Sequence, residues 1–228
     1  MMNINILRVI REAFPLLMRG AALTAEVTVL SLIIAMFLGL FACLMGLSKV
    51  KPLSWISKFY VWVIRGTPLL VQAFFIYFGI PQLIQSWGVP FRLSPFAAGV
   101  ITLSLNAGAY ISELFRGGIQ AVSPGQTEAA RSLGLSKART MYRVVLPQAI
   151  RISIPALVNQ CIISLKDTSI ISVIGLAEVV YQAKIYIGRT MESFATWTVV
   201  AVMYLVIISV LSQISVAIEK RLDYGNKV

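Results

Sequence analysis

Long stretches without a charged side chain divide this sequence, and they restrict the folds that it can adopt. The first such stretch runs from Val27 to Leu47 and contains no Asp, Glu, Lys or Arg. A helix needs about 20 mostly apolar residues to cross the hydrocarbon core of a bilayer, whereas the apolar core of a signal peptide is shorter. Hydrophobic residues also make up 58% of the chain, more than a soluble domain carries. The sequence therefore predicts an all-α membrane protein, with residues 1–228 forming a single transmembrane domain.

Five stretches are long enough to be transmembrane helices. They are residues 22–47, 59–84, 93–116, 150–175 and 194–218. An odd number of spans places the two termini on opposite sides, and most lysines and arginines then lie inside if the N-terminus is outside. Arg8, Arg11 and Arg19 oppose this rule. The predicted orientation, with the N-terminus outside and the C-terminus cytoplasmic, therefore rests mainly on the basic loop at residues 123–147.

The net charge of +11 is explained by this topology, because the basic residues lie between apolar spans rather than on one polar face. We therefore expect no nucleic-acid partner.

The chain has no histidine, and Cys43 and Cys161 both lie in apolar spans, which excludes a Cys/His zinc site. It also lacks the Gly-x-x-x-x-Gly-Lys-[Ser/Thr] run of a nucleotide-binding loop. We predict no metal site, no cofactor and no enzyme activity in this chain.

Residues 3–19 carry apolar side chains at helical spacing, such as Leu7, Ile10 and Phe14, with charged residues between them. This pattern predicts an interfacial helix that lies along the membrane surface. The alternative is that these residues simply extend the first span.

The loop at residues 123–147 is the most polar part of the chain, and its local signals predict a short helix, a turn and a second short helix. Thr127 is the predicted N-cap of the first helix, and Gly134 is expected to form a left-handed cap at its end. Ser136 can cap the second helix. Pro147 has no amide hydrogen and is expected to end or kink that helix.

The spacing of residues within this loop resembles the EAA loop of ABC-type importer permeases. The residues that carry the resemblance are Glu128, Ala129, Ala130, Gly134, Val144, Leu146 and Pro147. Val144 stands where the family usually has isoleucine. The resemblance implies that residues 123–147 are the cytoplasmic coupling segment, which docks onto a separate ATP-binding subunit. The alternative is an amphipathic loop that matches by coincidence.

The second and third predicted spans contain polar residues whose positions indicate a structural or functional role. Arg65-Gly66-Thr67-Pro68 predicts a bend, and Arg65 is either an interfacial anchor or the partner of a buried acid. Asn106, Tyr110 and Glu113 share one face of the third span. We interpret Asn106 and Tyr110 as lining a substrate path, with an interhelical hydrogen-bond ladder as the alternative. Glu113 is expected to pair with Arg65 or Arg116.

Lys166 and Asp167 lie next to each other in the fourth span. A charge in the middle of a membrane costs about 2.5–3.5 kcal/mol even on the lower scales, so each needs a partner or a function. Successive helical residues point about 100° apart, so one of the two can face a path while the other contacts a neighbouring helix or subunit. The alternative is a purely structural pair or subunit-interface network.

Three further segments resemble the amino-acid branch of the same importer family. They are RGTPLLVQ, SLNAGAYISELFRGGI and ISLKDTS. The resemblance implies a type I importer permease fold in a bacterial cytoplasmic membrane, with ATP and Mg bound by the partner ATP-binding subunit. A substrate-binding protein would deliver a polar amino acid from outside, and residues 176–193 are either its contact or a solvated turn. A zwitterionic substrate needs a cation and acceptors, which Lys166, Asp167, Asn106 and Tyr110 together supply.

Five spans are too few to enclose a solute path, so a second permease copy or a paralogue is expected. Homodimer and heterodimer both stay open, as does the substrate among cystine-, glutamine-, arginine- and histidine-type amino acids. Two other functions are considered. One is an ATP-independent carrier or channel that uses Lys166, Asp167 and Glu113 as a relay, and the other is a membrane scaffold without transport.

Overall fold

A computed structural model describes residues 6–224 of the chain, with side chains placed up to residue 220. All regular structure in this range is helical, as the sequence predicts. The helices are α1 (Ile6–Leu47), α2 (Lys51–Arg65), α3 (Leu69–Phe74), α4 (Ile80–Ser86), α5 (Pro95–Ala121), α6 (Pro124–Ser132), α7 (Lys137–Thr140), α8 (Leu146–Asp167), α9 (Val179–Thr190) and α10 (Ser193–Tyr224). A first π turn (Phe75–Gly79) joins α3 to α4, a second π turn (Met141–Val145) joins α7 to α8, and a 3-10 helix (Thr168–Ile174) follows α8.

Four helical runs within the described residues are long and apolar enough to cross a membrane, one fewer than predicted. They are Ile6–Leu47, Leu69–Ser86, Lys137–Ile174 and Ser193–Lys220. The predicted third span, residues 93–116, forms the unbroken helix α5, but its polar side chains make it less apolar than the other four. Instead of facing outward, α5 is enclosed by α1, α2, α3 and α8. A search for apolar segments alone therefore misses α5, although this helix lies at the centre of the bundle.

Residues 6–19 form the first turns of α1 and continue into the predicted first span without a break. Val9 and Ala13 are buried against α9 and α10, whereas Leu7 and Phe14 from the predicted apolar face are exposed. Leu7 and Phe14 belong to the face predicted to lie along the membrane surface, so the interfacial position of this helix stays a prediction. Residues 3–5 of the predicted interfacial helix lie outside the described residues.

The segment after α1 is more helical than predicted. The predicted spans at residues 22–47 and 59–84 leave residues 48–58 as a connection, but α2 begins at Lys51. Pro52 sits at the start of this helix, where a missing amide hydrogen costs nothing because that amide has no helical partner. The predicted bend is confirmed, since the helix stops at Arg65 and α3 starts at Leu69.

Two prolines lie just beyond the two π turns. Pro81 follows the first π turn and Pro147 follows the second, each as the second residue of the next α-helix. A proline cannot donate to the carbonyl one turn back, and its ring collides with that carbonyl in a regular helix. A π turn contains an extra residue and changes this local pairing. Of the two outcomes predicted at Pro147, an end of the helix is not found, and the helical run passes through the proline directly after the π turn.

The packing of α1 against α5 depends on small side chains. A Cβ atom added at Gly39 would lie 2.6 Å from Cγ2 of Ile111 and 2.9 Å from the carbonyl oxygen of Gly108. Ala35 and Ala107 are buried beside this contact. Membrane helices gain stability from such close approach, because lipid is as apolar as their side chains.

The approach of α5 to α8 depends on Gly118 in a similar way. A Cβ atom there would overlap Oγ of Ser153 and lie 2.7 Å from the carbonyl oxygen of Ala149, whereas a Cβ atom at the adjacent Gly117 would meet nothing within 4 Å. We expect Gly118→Ala to destabilise the protein by about 1–3 kcal/mol through overpacking. Gly117→Ala should stabilise it by about 0.5–1 kcal/mol, because alanine favours the helix. Thermal unfolding of the purified complex in detergent, followed by size-exclusion chromatography, measures both. Equal effects of the two variants would contradict the packing described here.

Candidate functional site

The break between α2 and α3 is held by one glutamine. Nε2 of Gln72 donates to the carbonyl oxygen of Ile64 at 2.7 Å and to that of Thr67 at 3.0 Å. Oγ1 of Thr67 in turn donates to the carbonyl oxygen of Val63 at 2.8 Å. These carbonyls have lost their helical partners, and hydrocarbon cannot replace them. Gln72 therefore makes the predicted bend tolerable at membrane depth.

Asn106 is buried and bonded to the same glutamine. Its Nδ2 donates to Oε1 of Gln72 at 3.0 Å, which joins the centre of α5 to the break. This contact matches the interhelical hydrogen bonds that we considered as the alternative to a substrate path. Gln72 was not among the residues predicted from the sequence, although an amide within an apolar run is costly in lipid and could have indicated a structural role.

Two turns further along α5, an ion-pair cluster joins three helical residues. Nη2 of Arg116 lies 2.6 Å from Oε2 of Glu113, and Nη1 of Arg65 lies 3.3 Å from the same oxygen. Nε of Arg116 donates to Oε1 of Glu113 at 2.9 Å. The guanidinium of Arg65 also lies 5.4 Å from the centre of the Tyr110 ring, within cation–π range. Tyr110 is exposed on the predicted polar face and thus adjoins this cluster.

Lys166 and Asp167 diverge, as expected for adjacent helical residues. Lys166 is exposed and lines a groove of about 360 Å³ with Ser169, Trp197 and Tyr204, next to α10. Asp167 is half-buried and does not line this groove. No hydrogen bond or ion pair links either residue to Asn106 or Tyr110 within residues 6–220. Within these residues no bond joins the predicted path residues of α8 to those of α5, and their use as one path stays a prediction.

The first helix of the coupling segment (residues 123–147) begins earlier than predicted. Helix α6 starts at Pro124, with Ser123 in the N-cap position, so the prediction of Thr127 as N-cap is wrong. Proline is favoured in the first helical turn, and this preference outweighs the capping side chain of Thr127. Glu128 and Ala129 are exposed on α6, whereas Ala130 is buried.

Gly134 forms a complete Schellman turn at the end of α6. Its φ is +81°, and its amide donates to the carbonyl oxygen of Arg131 at 3.0 Å. The amide of Leu135 donates to the carbonyl oxygen of Ala130 at 3.2 Å, which closes the motif. Leu133 lies at this turn and is 84% exposed. An exposed leucine beside a rigid turn suits contact with another protein.

The base of the coupling segment is anchored to the bundle, and its tip is exposed. Val122, Val145 and Ala149 pack together in a small apolar cluster. Leu146 and Pro147 directly follow the second π turn, so the predicted second short helix and the fourth span form one helical run. Ser136 caps this run by accepting from the amide of Arg139. The segment is therefore a rigid projection rather than a flexible loop.

Residues 176–193 include the ordered helix α9, which packs against α1. The Glu178 carboxylate is fully buried and accepts from the amides of Val180 at 3.0 Å and Tyr181 at 2.8 Å. Burial raises the pKa of the Glu178 carboxyl, and the two amide bonds partly oppose this rise. Its hydrogen bonds identify Glu178 as a structural cap. Among the described residues, no group of three or more His, Cys, Asp or Glu side chains could hold a metal ion.

Comparison with known proteins places most of the chain in one family. Residues 35–224 match the model of the binding-protein-dependent transport system inner membrane component. The chain is 38% identical to the arginine transport system permease protein ArtQ of Bacillus subtilis (strain 168), over 91% of this chain and 93% of that protein. It is 41% identical to the glutamine transport system permease protein GlnP of Escherichia coli (strain K12), over 92% and 94% of the two chains.

Solved structures agree with this placement. The crystal structure of an amino acid ABC transporter with histidines matches with a TM-score of 0.90 and 40% identity, covering 96% of this chain and 100% of that one. The methionine ABC transporter MetNI in an inward-facing conformation matches with a TM-score of 0.73 at 16% identity, covering 92% and 97% of the two chains. The second match concerns the fold alone.

The Gln72–Asn106 bond can be tested by a double-mutant cycle with Gln72→Ala and Asn106→Ala. Interhelical hydrogen bonds of this kind in membranes average about 0.6 kcal/mol and reach about 1.7 kcal/mol, so we expect a coupling energy in that range. The free energy of unfolding in mixed micelles is the measurement. Gln85→Ala serves as the control partner, because Gln85 bonds to the carbonyl oxygen of Phe91 instead and should be additive with Asn106→Ala. A coupling energy of zero between Gln72 and Asn106 would contradict the role given to this bond.

Proposed function

Because the chain belongs to the family of binding-protein-dependent transport system inner membrane components, we propose that it carries polar amino acids as the permease subunit of an ABC importer. It is a multi-pass protein of the cytoplasmic membrane with several apolar helices. It has no ATPase site of its own, because the ATPase activity of such importers resides in a separate subunit. The observation that carries the proposal is the rigid coupling segment, which projects from a bundle related to amino-acid permeases.

The coupling segment is the proposed contact with the ATP-binding subunit. Glu128 and Ala129 present a small, exposed surface, and Leu133 adds an apolar side chain beside it. The Schellman turn at Gly134 fixes the angle between α6 and α7. When the ATP-binding subunits close, a rigid projection of this kind passes the displacement directly to α5 and α8. The bundle then opens to the outside and receives the amino acid, which is alternating access.

We assign α5 as a fifth membrane-crossing helix. Its 27 residues are long enough, and its polar side chains meet other helices rather than lipid. With five crossings, the basic coupling segment lies in the cytoplasm and the N-terminus lies outside. The proposed complex contains a second permease copy or paralogue and an external substrate-binding protein.

The proposed substrate path uses the polar faces of α5 and α8. Tyr110 and Asp167 remain accessible on these helices, and Lys166 offers an exposed ammonium group in its groove. A zwitterionic amino acid presents one carboxylate and one ammonium group, which these opposite charges complement. Asn106 supports the path by fixing α5 to the break at Gln72.

The first experiment is an affinity purification of the chain from its native membrane, with identification of the copurified proteins and an ATPase assay. Recovery of an ATP-binding subunit and amino-acid-dependent hydrolysis is the expected result. A chain that transports after purification without such a subunit would overturn the proposal in favour of an ATP-independent carrier.

Gly134→Leu should uncouple ATP hydrolysis from uptake while leaving membrane insertion intact. A non-glycine residue in the left-handed region costs about 1–2 kcal/mol, and relief of this strain distorts the turn. Gly125→Leu is the matched control, since an added side chain there meets only Oγ of Ser123 at 3.6 Å and φ is not positive. Uptake per ATP hydrolysed in proteoliposomes distinguishes the two variants. Normal coupling in Gly134→Leu would refute the role of the turn.

Lys166→Met should lower uptake by about tenfold or more, as expected when a hydrogen bond to a charged group is lost. The complex should still assemble, because Lys166 is exposed and lies in no ion pair of the described residues. Lys166→Arg retains the charge and is expected to keep more of the uptake. Loss of the assembled complex in Lys166→Met would instead identify the lysine as structural.

A further inference from the structure

A cavity of about 520 Å³ opens between the ends of α1 and α5 and the face of α2, at the Arg65–Glu113–Arg116 cluster that Tyr110 adjoins. Ala42 and Gly46 line it from α1, and Arg116 lines it from α5. All three lie near the ends of their helices, and the coupling segment begins soon after Arg116. The cavity therefore lies at the coupling end of the bundle.

Helix α2 presents an alternation of positive charge and aromatic surface to this cavity. Lys58, Trp62 and Arg65 all line it, and their spacing of four and three residues places them on one helical face. The Trp62 side chain is 71% exposed. Tryptophan favours the boundary between headgroups and hydrocarbon, where its ring is apolar and its N–H is hydrated.

The charges around the cavity favour an anion. Three cations, Lys58, Arg65 and Arg116, line it together with one carboxylate, Glu113. Arg116 uses Nε and Nη2 for Glu113 and Nη1 for Gln120, so its donors are largely committed. Arg65 gives only Nη1 to Glu113, and a guanidinium has five N–H donors. Arg65 and Lys58 therefore retain donors for a phosphate group.

The surroundings of the cavity indicate where that phosphate comes from. Trp55 and Phe59 continue the exposed aromatic row of α2 from Trp62, with exposed fractions of 66% and 49%. A free phosphate ion needs no apolar surface, whereas the acyl chains of a lipid do. Basic pockets between membrane helices are known to bind anionic lipid headgroups.

We propose that this cavity binds the headgroup of an anionic phospholipid, with the phosphate between Lys58 and Arg65 and the acyl chains along the aromatic row of Trp55, Phe59 and Trp62. A free amino acid fits less well, because Glu113 is already paired with both arginines and is not available to an ammonium group. The bound lipid joins α1, α2 and α5 at the end of the bundle that leads to the coupling segment. The proposal relies on the proposed function only for the cytoplasmic side of this end.

Trp62 offers a direct probe of the site. The chain has four tryptophans, and the other three are exposed, so Trp55→Phe, Trp87→Phe and Trp197→Phe leave Trp62 as the sole fluorophore. The full-length chain carrying these changes is reconstituted without its partner subunits in dibrominated phosphatidylglycerol or dibrominated phosphatidylcholine, whose bromines quench nearby tryptophan. We expect several-fold tighter association of phosphatidylglycerol. Equal quenching by the two lipids would overturn the proposal.

Lys58→Gln and Lys51→Gln form a matched pair on α2. Lys58 lines the cavity and Lys51 does not, although both side chains are exposed. One lysine near an anionic lipid contributes about a fivefold preference, which Lys58→Gln should remove and Lys51→Gln should retain. An equal loss in both variants would show diffuse surface attraction and contradict the site. Abolition of the preference by excess inorganic phosphate would identify a free-ion site instead.

These outcomes are independent of the transport proposal. If the phosphatidylglycerol preference is absent while the ATP-binding subunit still copurifies, the lipid site fails and the permease function stands. If the ATP-binding subunit is not recovered while the phosphatidylglycerol preference persists, the permease function fails and the lipid site stands.

Discussion

Hydrocarbon offers no partner to a backbone carbonyl, and this constraint governs each irregular point of the structure. The break after α2 leaves carbonyls free, and Thr67 and Gln72 supply the missing donors. Elsewhere, Oγ of Ser57 donates to the carbonyl oxygen of Ala42 at 2.6 Å, and the hydroxyl of Tyr60 donates to that of Leu105 at 2.7 Å. The bonds from Gln72 to Ile64, from Ser57 to Ala42 and from Tyr60 to Leu105 each cross between helices, so the groups that bind the backbone also fix the packing.

The same constraint explains why α5, which carries several polar side chains, is enclosed by other helices. Asn106 donates a hydrogen bond to Gln72 at the break between α2 and α3. Glu113 forms ion pairs with Arg65 and Arg116. Gly108 allows α1 to approach α5 closely, and Gly118 does the same for α8. The helix then leads directly into the coupling segment. Any displacement of that segment must therefore act on the helix with the greatest number of specific polar contacts, which limits the arrangements that the bundle can adopt.

The parts of this structure that depend on neighbouring residues were predictable from the sequence. The break at Gly66–Pro68 and the left-handed turn at Gly134 follow from glycine and proline, whose backbone preferences are intrinsic.

Gln72 was missed because its partner Asn106 lies 34 residues away, and the sequence does not show which helices become neighbours. The start of α6 was misplaced because two local signals, Pro124 and Thr127, competed. The groove around Lys166 depends on the packing of α9 and α10, which no local pattern encodes.

The second π turn lies near the end of the coupling segment and precedes the polar residues of α8. Each helical residue turns the chain by about 100° around the helix axis and advances it by about 1.5 Å, and a π turn contains one residue more than an α-helical turn. The turn at Met141–Val145 therefore sets the rotation of Lys166 and Asp167 relative to α6. A shift between π and α pairing at this point would rotate both side chains about the helix axis and also move them along it. The helical run from Lys137 to Ile174 therefore links the depth of these two charges to the direction in which they point.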